Sequence, residues 1–150
     1  MASQIAGRET TLRLTRVFAA PREKVFRAWT SAEALKAWWG PSGHETVSAE
    51  VTLKAGGTYR LGMRRLPAGA VFYLAGVYRE VRAPEKLVYT WRWETEPEYG
   101  ETLVTVEFLE HGISTEVVLT HELFPNEKMR EQHGKGWGGC FDRLADLLAR

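Results

Sequence analysis

The sequence predicts an α+β domain in which a curved antiparallel sheet wraps around a long C-terminal helix, with two short helices after the first strand. Residues 47–123 contain six runs with apolar side chains at alternate positions, separated by short turns or loops. Alternation is typical of strands, and short connections favour antiparallel pairing. Beyond residue 125 the apolar spacing changes to three and four, which predicts one long helix. The sheet is expected to contain about six to seven strands.

The chain length of 150 residues suits one domain that builds its own core. Residues 1–9 show no periodicity and are predicted to form a flexible N-terminal tail, so the single domain spans residues 10–150. Within this domain the first strand is predicted from about Thr11 to Phe18.

Two short helices are predicted between the first strand and the rest of the sheet. Pro21 suits the first helical position, where a proline loses no needed hydrogen bond. Thr30 with Glu33 is interpreted as a capping box for the second helix. Gly40-Pro41 then ends that helix, because glycine adopts the left-handed cap and proline stops the helix.

The six later strands are predicted to form one sheet. The first of them places Val47, Ala49, Val51 and Leu53 on one face, and Gly56-Gly57 turns the chain into the next. One helix is too narrow to cover the whole concave face of such a sheet. We therefore expect a space between helix and sheet, closed at one end by the short helices.

The long helix is predicted to begin at Pro125-Asn126, with Asn126 as its N-cap. Its apolar stripe comprises Met129, His133, Trp137, Cys140, Phe141, Leu144, Leu147 and Leu148. Four glycines interrupt it: Gly134, Gly136, Gly138 and Gly139. Each weakens a helix by roughly 1 kcal/mol relative to alanine. They are therefore expected either to permit close approach to the sheet or to leave space beneath the helix.

Composition excludes several classes of function. The formal net charge of +1 gives no broad electrostatic footprint for nucleic acid. No apolar stretch has the length of a signal peptide or a membrane span, so membrane insertion is not expected. The single cysteine, Cys140, excludes an intrachain disulfide and suits a reducing compartment. A cytoplasmic location is predicted.

A set of short motifs carries a resemblance to a known family. They are Val25-Phe26-Arg27-Ala28-Trp29-Thr30, Trp38-Trp39-Gly40-Pro41, Gly56-Gly57-Thr58-Tyr59-Arg60, Gly76-Val77-Tyr78 leading to Pro84-Glu85-Lys86-Leu87-Val88-Tyr89-Thr90-Trp91, Thr120-His121-Glu122 and Gly136-Trp137. As a set they resemble the domain named after the activator of heat-shock protein 90 ATPase. That domain belongs to the START-like, birch-pollen-allergen-like helix-grip superfamily (SRPBCC). The resemblance covers about residues 10–149.

The resemblance implies a helix-grip fold with a deep cavity. Relatives bind lipids, hormones or polyketides, and a minority catalyse cyclisation or hydration. The eukaryotic namesake stimulates a chaperone ATPase through a second domain and a linker, neither of which this sequence contains. The expected partner is a small apolar molecule, with a chaperone or another protein as the alternative.

Aromatic side chains are the first candidates for a ligand-binding wall, since the chain has six Trp, five Tyr and six Phe. The candidates on strands are Tyr59, Met63, Tyr89, Trp91 and Trp93. Ordinary core packing explains them equally well. Trp38 and Trp39 are not both expected to be fully buried on so short a helix. One of them guards a cavity mouth or fixes the helix to the sheet.

His121 and His133 are the most informative polar candidates. His121 shares the inward face of Val117 and Leu119 by alternation, so its buried imidazole needs a hydrogen-bond partner. It either contacts a ligand, acting even as a general base, or is held by a side chain of the core. His133 lies on the helix stripe, where it either faces His121 across the cavity or lies near the exposed start of the helix.

The helix also contributes Trp137, Cys140 and Phe141 to the predicted cavity lining. Cys140 has no neighbouring base and is interpreted as a small buried hydrophobe. The histidine spacing matches no metal-ligand motif, so neither a metal nor a cofactor is expected. Three functions stay open: binding of a small apolar ligand, a lyase or cyclase reaction using residues such as His121, and a protein-interaction module.

Overall fold

The computed structural model describes residues 9–150. Within them the chain forms seven strands and three helices. The strands are β1 (Leu12–Phe18), β2 (His44–Val51), β3 (Thr58–Arg65), β4 (Val71–Arg82), β5 (Lys86–Trp93), β6 (Thr102–His111) and β7 (Ser114–Glu122). The helices are α1 (Arg22–Thr30), α2 (Ala32–Trp38) and α3 (Glu127–Leu148), with a short 3₁₀ turn at Pro97–Tyr99. The predicted tail lies, apart from its last residue, outside the described residues.

The strands form one antiparallel sheet in the order β1-β7-β6-β5-β4-β3-β2. The predicted α+β architecture is confirmed: strand, two short helices, six strands and a long helix. None of the described helices is long and apolar enough to cross a membrane.

The core lies between the concave face of the sheet and α3. Inward positions of β3 and β5 alternate as predicted, with Tyr59, Leu61, Met63, Leu87, Tyr89, Trp91 and Trp93 all buried. Trp137, Phe141 and Leu144 of α3 are buried against them. Each such apolar side chain contributes about 1.5–3 kcal/mol when it leaves water. This packing holds α3 across the sheet.

The caps of the short helices differ from the prediction by one residue. The N-cap of α2 is Ser31, whose Oγ accepts a hydrogen bond from the Ala34 amide at 3.3 Å. Thr30 instead ends α1 and donates from Oγ1 to the Phe26 carbonyl at 3.0 Å. The proposed Thr30–Glu33 capping box is therefore wrong. Pro21 likewise precedes α1 as its N-cap residue.

Trp38 and Trp39 are both buried, with exposed fractions of 0% and 4%, so the expectation that one stays exposed is wrong. The reason is that α2 ends at Trp38. Trp39 has extended backbone, with φ −69° and ψ 143°, so the two rings leave the chain in different directions. Trp38 donates from Nε1 to the Ala28 carbonyl at 2.8 Å, whereas Trp39 packs on the sheet.

The predicted face of β2 is confirmed at Ala49 and Val51, which pack against the core, and is wrong at Val47 and Leu53. A bulge between Thr46 and Ser48 changes which side chains point inward. Val47 is therefore 38% exposed, and Thr46 is buried with Oγ1 donating to the Trp39 carbonyl at 2.6 Å. Leu53 follows the end of β2 and is also exposed.

The predicted cap of α3 is confirmed, because Asn126 Oδ1 accepts from the Met129 amide at 2.8 Å. Two of its glycines allow close approach. A Cβ at Gly134 would lie 3.2 Å from Leu12, and a Cβ at Gly139 would lie 3.1 Å from the Ser42 amide nitrogen. Next to them, a Cβ at Gly138 would meet nothing within 4 Å.

Candidate functional site

A pocket of about 230 Å³ lies between the middle of α3 and the β3–β5 part of the sheet. Seven of the residues predicted from the sequence line it: Trp39, Met63, Trp91, Trp93, His133, Trp137 and Cys140. Six further lining residues were not predicted from the sequence: Pro41, Phe72, Glu96, Tyr99, Gln132 and Gly136. The pocket wall is therefore mainly aromatic.

Trp91 is the centre of this aromatic wall. Its ring centroid lies 6.0 Å from that of Trp39, 5.6 Å from Trp93 and 5.3 Å from Trp137. The four rings are tilted against one another and all four are buried. Each indole is fixed by its neighbours, so the wall is preformed.

One polar atom of the wall is unsatisfied. Trp91 Nε1 is buried and has no hydrogen-bond partner among the described residues. Buried donors of this kind are rare in native proteins, because losing water without a replacement costs about 1–3 kcal/mol.

Five of the predicted residues do not line the pocket: Trp38, Tyr59, Tyr89, His121 and Phe141. The two tyrosines belong to the neighbouring core. Tyr59 donates from its hydroxyl to the Thr90 carbonyl at 2.6 Å, and the Tyr89 hydroxyl accepts from Trp29 Nε1 at 3.3 Å. Burial raises the pKa of both hydroxyls. Phe141 packs edge-on against Phe18, with centroids 5.8 Å apart.

His121 points inward as predicted and is fully buried. Its Nδ1 accepts a hydrogen bond from Trp137 Nε1 at 3.1 Å, which assigns the ring proton to Nε2. Nε2 lies 2.7 Å from Thr102 Oγ1, which in turn donates to the Trp91 carbonyl at 3.3 Å. Burial, with a smaller contribution from His133, lowers the pKa of His121 well below its ordinary value. The ring is thus held by side chains of the core.

His133 lies beside His121, with ring centroids 5.6 Å apart, and it lines the pocket. Its Nε2 accepts from Trp93 Nε1 at 3.0 Å, so Nδ1 carries the proton and donates to the Met129 carbonyl at 2.9 Å. Burial lowers the pKa of His133. Both imidazoles are therefore neutral near pH 7, and their hydrogen bonds fix the rings of Trp93 and Trp137.

Cys140 lies in the pocket wall, but only 4% of it is exposed. Burial raises the pKa of its thiol to about 12, so thiolate is scarce at neutral pH. In residues 9–150 no group of three or more His, Cys, Asp or Glu side chains is arranged to hold a metal ion.

The polar edge of the pocket comes from the loop between β5 and β6. Glu96 and Tyr99 are both half-buried there. A hydrogen bond to Glu96 raises the pKa of the Tyr99 hydroxyl, which is the donor of that bond. From the sequence alone, residues 94–101 are recognisable only as an acidic loop, since nothing in their spacing shows that a 3₁₀ turn brings these side chains to the pocket.

Arg143 fixes the segment that carries Trp39 and Pro41. Its Nη1 lies within hydrogen-bond distance of three carbonyl oxygens, those of Trp39 at 3.4 Å, Gly40 at 3.1 Å and His44 at 3.2 Å. The close approach of Gly139 to Ser42 brings the same segment against α3. The wall opposite the β5–β6 loop is thereby anchored to the helix.

Comparison with known proteins identifies the family. The family model of the activator of Hsp90 ATPase homolog 1-like proteins matches residues 19–149. The chain belongs to this family. Among curated proteins no match to the chain was found.

Solved structures of similar proteins support this membership in the Hsp90 ATPase activator homolog-like family. A protein of Chromobacterium violaceum is 27% identical, with a TM-score of 0.87 over 94% of this chain and 98% of its own. The AHSA1 protein of Silicibacter pomeroyi is 26% identical, with a TM-score of 0.81 over 93% of this chain and 97% of its own. Proteins with this fold commonly bind hydrophobic ligands.

Proposed function

We propose that this protein binds a small, largely apolar or aromatic ligand in the pocket between α3 and the sheet. The observation that carries the proposal is the preformed wall of four indoles around a space of about 230 Å³. Aromatic walls with a few polar groups at the edge are typical of small-molecule sites.

The pocket volume favours a ligand of one or two rings, or a short branched chain. Sites for drug-sized molecules usually measure about 300–1,000 Å³, so a whole two-chain lipid would require α3 to move. We therefore place the expected ligand at the small end of the range that helix-grip proteins bind.

The polar groups of the pocket favour binding without catalysis. The nitrogens of both histidines are engaged in hydrogen bonds, and the pKa of Cys140 is raised to about 12. None of the three is poised as a base or nucleophile near neutral pH. The proposal needs no metal or cofactor, and it includes the cytoplasmic location predicted from the single cysteine.

Native mass spectrometry of freshly purified protein, compared with its denatured mass, tests the proposal. Gly136 borders the pocket, and a Cβ placed there meets only Pro41, at 4.0 Å, so Gly136→Leu should fill the space without disturbing α3. Gly138→Leu is the matched control, because Gly138 lies outside the pocket. We expect a retained adduct in the wild type and the control, and none in Gly136→Leu.

An adduct that persists in Gly136→Leu would place the ligand elsewhere and contradict the proposal. A converted product released from an added ligand would favour the lyase or cyclase alternative. If the protein carries no adduct and instead associates stably with a chaperone, the result would favour a protein-interaction module.

A further inference from the structure

The four indoles of the pocket present their π faces in different directions. Trp91 is tilted by 54° to Trp39, 89° to Trp93 and 42° to Trp137. Because these rings are not parallel, they do not form a slot for a flat molecule. The face of an aromatic ring is electron-rich and attracts a cation, most strongly in tryptophan.

The charged groups around the pocket also favour a cation. Glu96 lines it beside Tyr99, whose hydroxyl pKa the Glu96 carboxylate raises, and no lysine or arginine is among the described residues that line it. The guanidinium of Arg143 lies behind the wall, where it is occupied by three carbonyl oxygens. His133 adds no positive charge, because both of its nitrogens are engaged in the neutral form.

We propose that the pocket prefers an organic cation, namely a tertiary or quaternary ammonium group carried on a small apolar body. This rests on the proposed function and narrows it to one class of ligand. The methyl groups of the ammonium contact the indole faces, and Glu96 supplies the counter-charge at the edge. A carboxylate of the same size is disfavoured, since it would face both the π electrons and Glu96, and a single hydrogen bond from the unpaired Trp91 Nε1 would have to offset both.

Three small probes of nearly equal shape separate charge from shape: choline, the neutral 3,3-dimethylbutan-1-ol, and the anionic 3,3-dimethylbutanoate. Each is titrated into ¹⁵N-labelled protein while the indole N–H signals of Trp39, Trp91, Trp93 and Trp137 are followed. We expect choline to bind about tenfold more tightly than the neutral alcohol, which corresponds to two favourable cation–π contacts. The anion should bind most weakly.

Two variants test the counter-charge. Glu96→Gln should lower the affinity for choline by about threefold, as expected for a partly exposed charge pair. The affinity for the neutral alcohol should stay unchanged. Glu98→Gln is the matched control, because Glu98 lies in the same loop outside the pocket and should alter neither affinity.

Equal or tighter binding of the neutral alcohol would overturn the inference and leave the proposed function standing. An undiminished choline affinity in Glu96→Gln would overturn it as well. If none of the three probes nor a neutral bicyclic aromatic such as 2-naphthol shifts the four indole signals, the proposed function itself fails.

Discussion

At the scale of single residues, two neutral histidines hold the indole wall in place. His121 accepts from Trp137, and His133 accepts from Trp93, so each imidazole fixes one ring of the pocket. Protonation would remove the accepting lone pair and place a charge in a buried, aromatic environment. Both effects oppose the charged form, which agrees with the lowered pKa of each ring.

The protein should therefore lose stability in mild acid. Because burial lowers the pKa of both histidines, the unfolded chain binds more protons than the folded one below the ordinary histidine pKa of about 6.5. The free energy of unfolding should fall as pH drops through this window, by up to about 1.4 kcal/mol per pH unit for each histidine. Urea unfolding at pH 7, 6 and 5 measures the slope.

The control for this prediction is His121→Gln, whose amide can accept and donate in a similar position without titrating. Its stability should depend less steeply on pH, by about the contribution of one histidine. The same slope in the variant and the wild type would show that His121 titrates normally in the folded protein.

At the scale of secondary-structure elements, α3 lies in close contact with the segment that follows α2. A Cβ at Gly139 would lie 3.1 Å from the Ser42 amide nitrogen, whereas a Cβ at Gly138 has open space. Both positions gain the same helix propensity from alanine. Gly138→Ala should therefore stabilise the protein by about 1 kcal/mol, and Gly139→Ala should be less stable than Gly138→Ala by at least about 1 kcal/mol.

Thermal or urea unfolding of the two alanine variants makes this comparison. Equal stabilisation by both would mean that α3 does not approach the Pro41–Ser42 segment as closely as described. Destabilisation by Gly138→Ala would mean that the open space beside Gly138 is filled by other atoms in solution.

Strand periodicity predicted most elements, and its failures have local causes. In β5 the alternation of Tyr89, Trp91 and Trp93 correctly predicted the buried face. In β2 a single extra residue at the bulge reversed the face around Val47. Such a bulge is set by the partner strand, so the sequence of β2 alone does not reveal it.

The whole molecule shows which part of the candidate site can be predicted from a sequence. Trp39, Trp91, Trp93 and Trp137 could be predicted because large rings on inward positions must face the space under α3. His121 was placed inward correctly, but its hydrogen bonds to Trp137 and Thr102 depend on three separate elements. Glu96 and Tyr99 reach the pocket through an irregular loop, whose path follows no periodic pattern.

The central claim is that the indole-lined space under α3 is a binding site, and the six tryptophans allow one direct measurement. Titrating 2-naphthol into ¹⁵N-labelled protein should shift the indole signals of Trp39, Trp91, Trp93 and Trp137, which line the pocket. The signals of Trp29 and Trp38, buried away from it, should stay in place. Shifts spread over all six indoles, or no shift at the four with 2-naphthol or with any of the choline-shaped probes, would contradict the account.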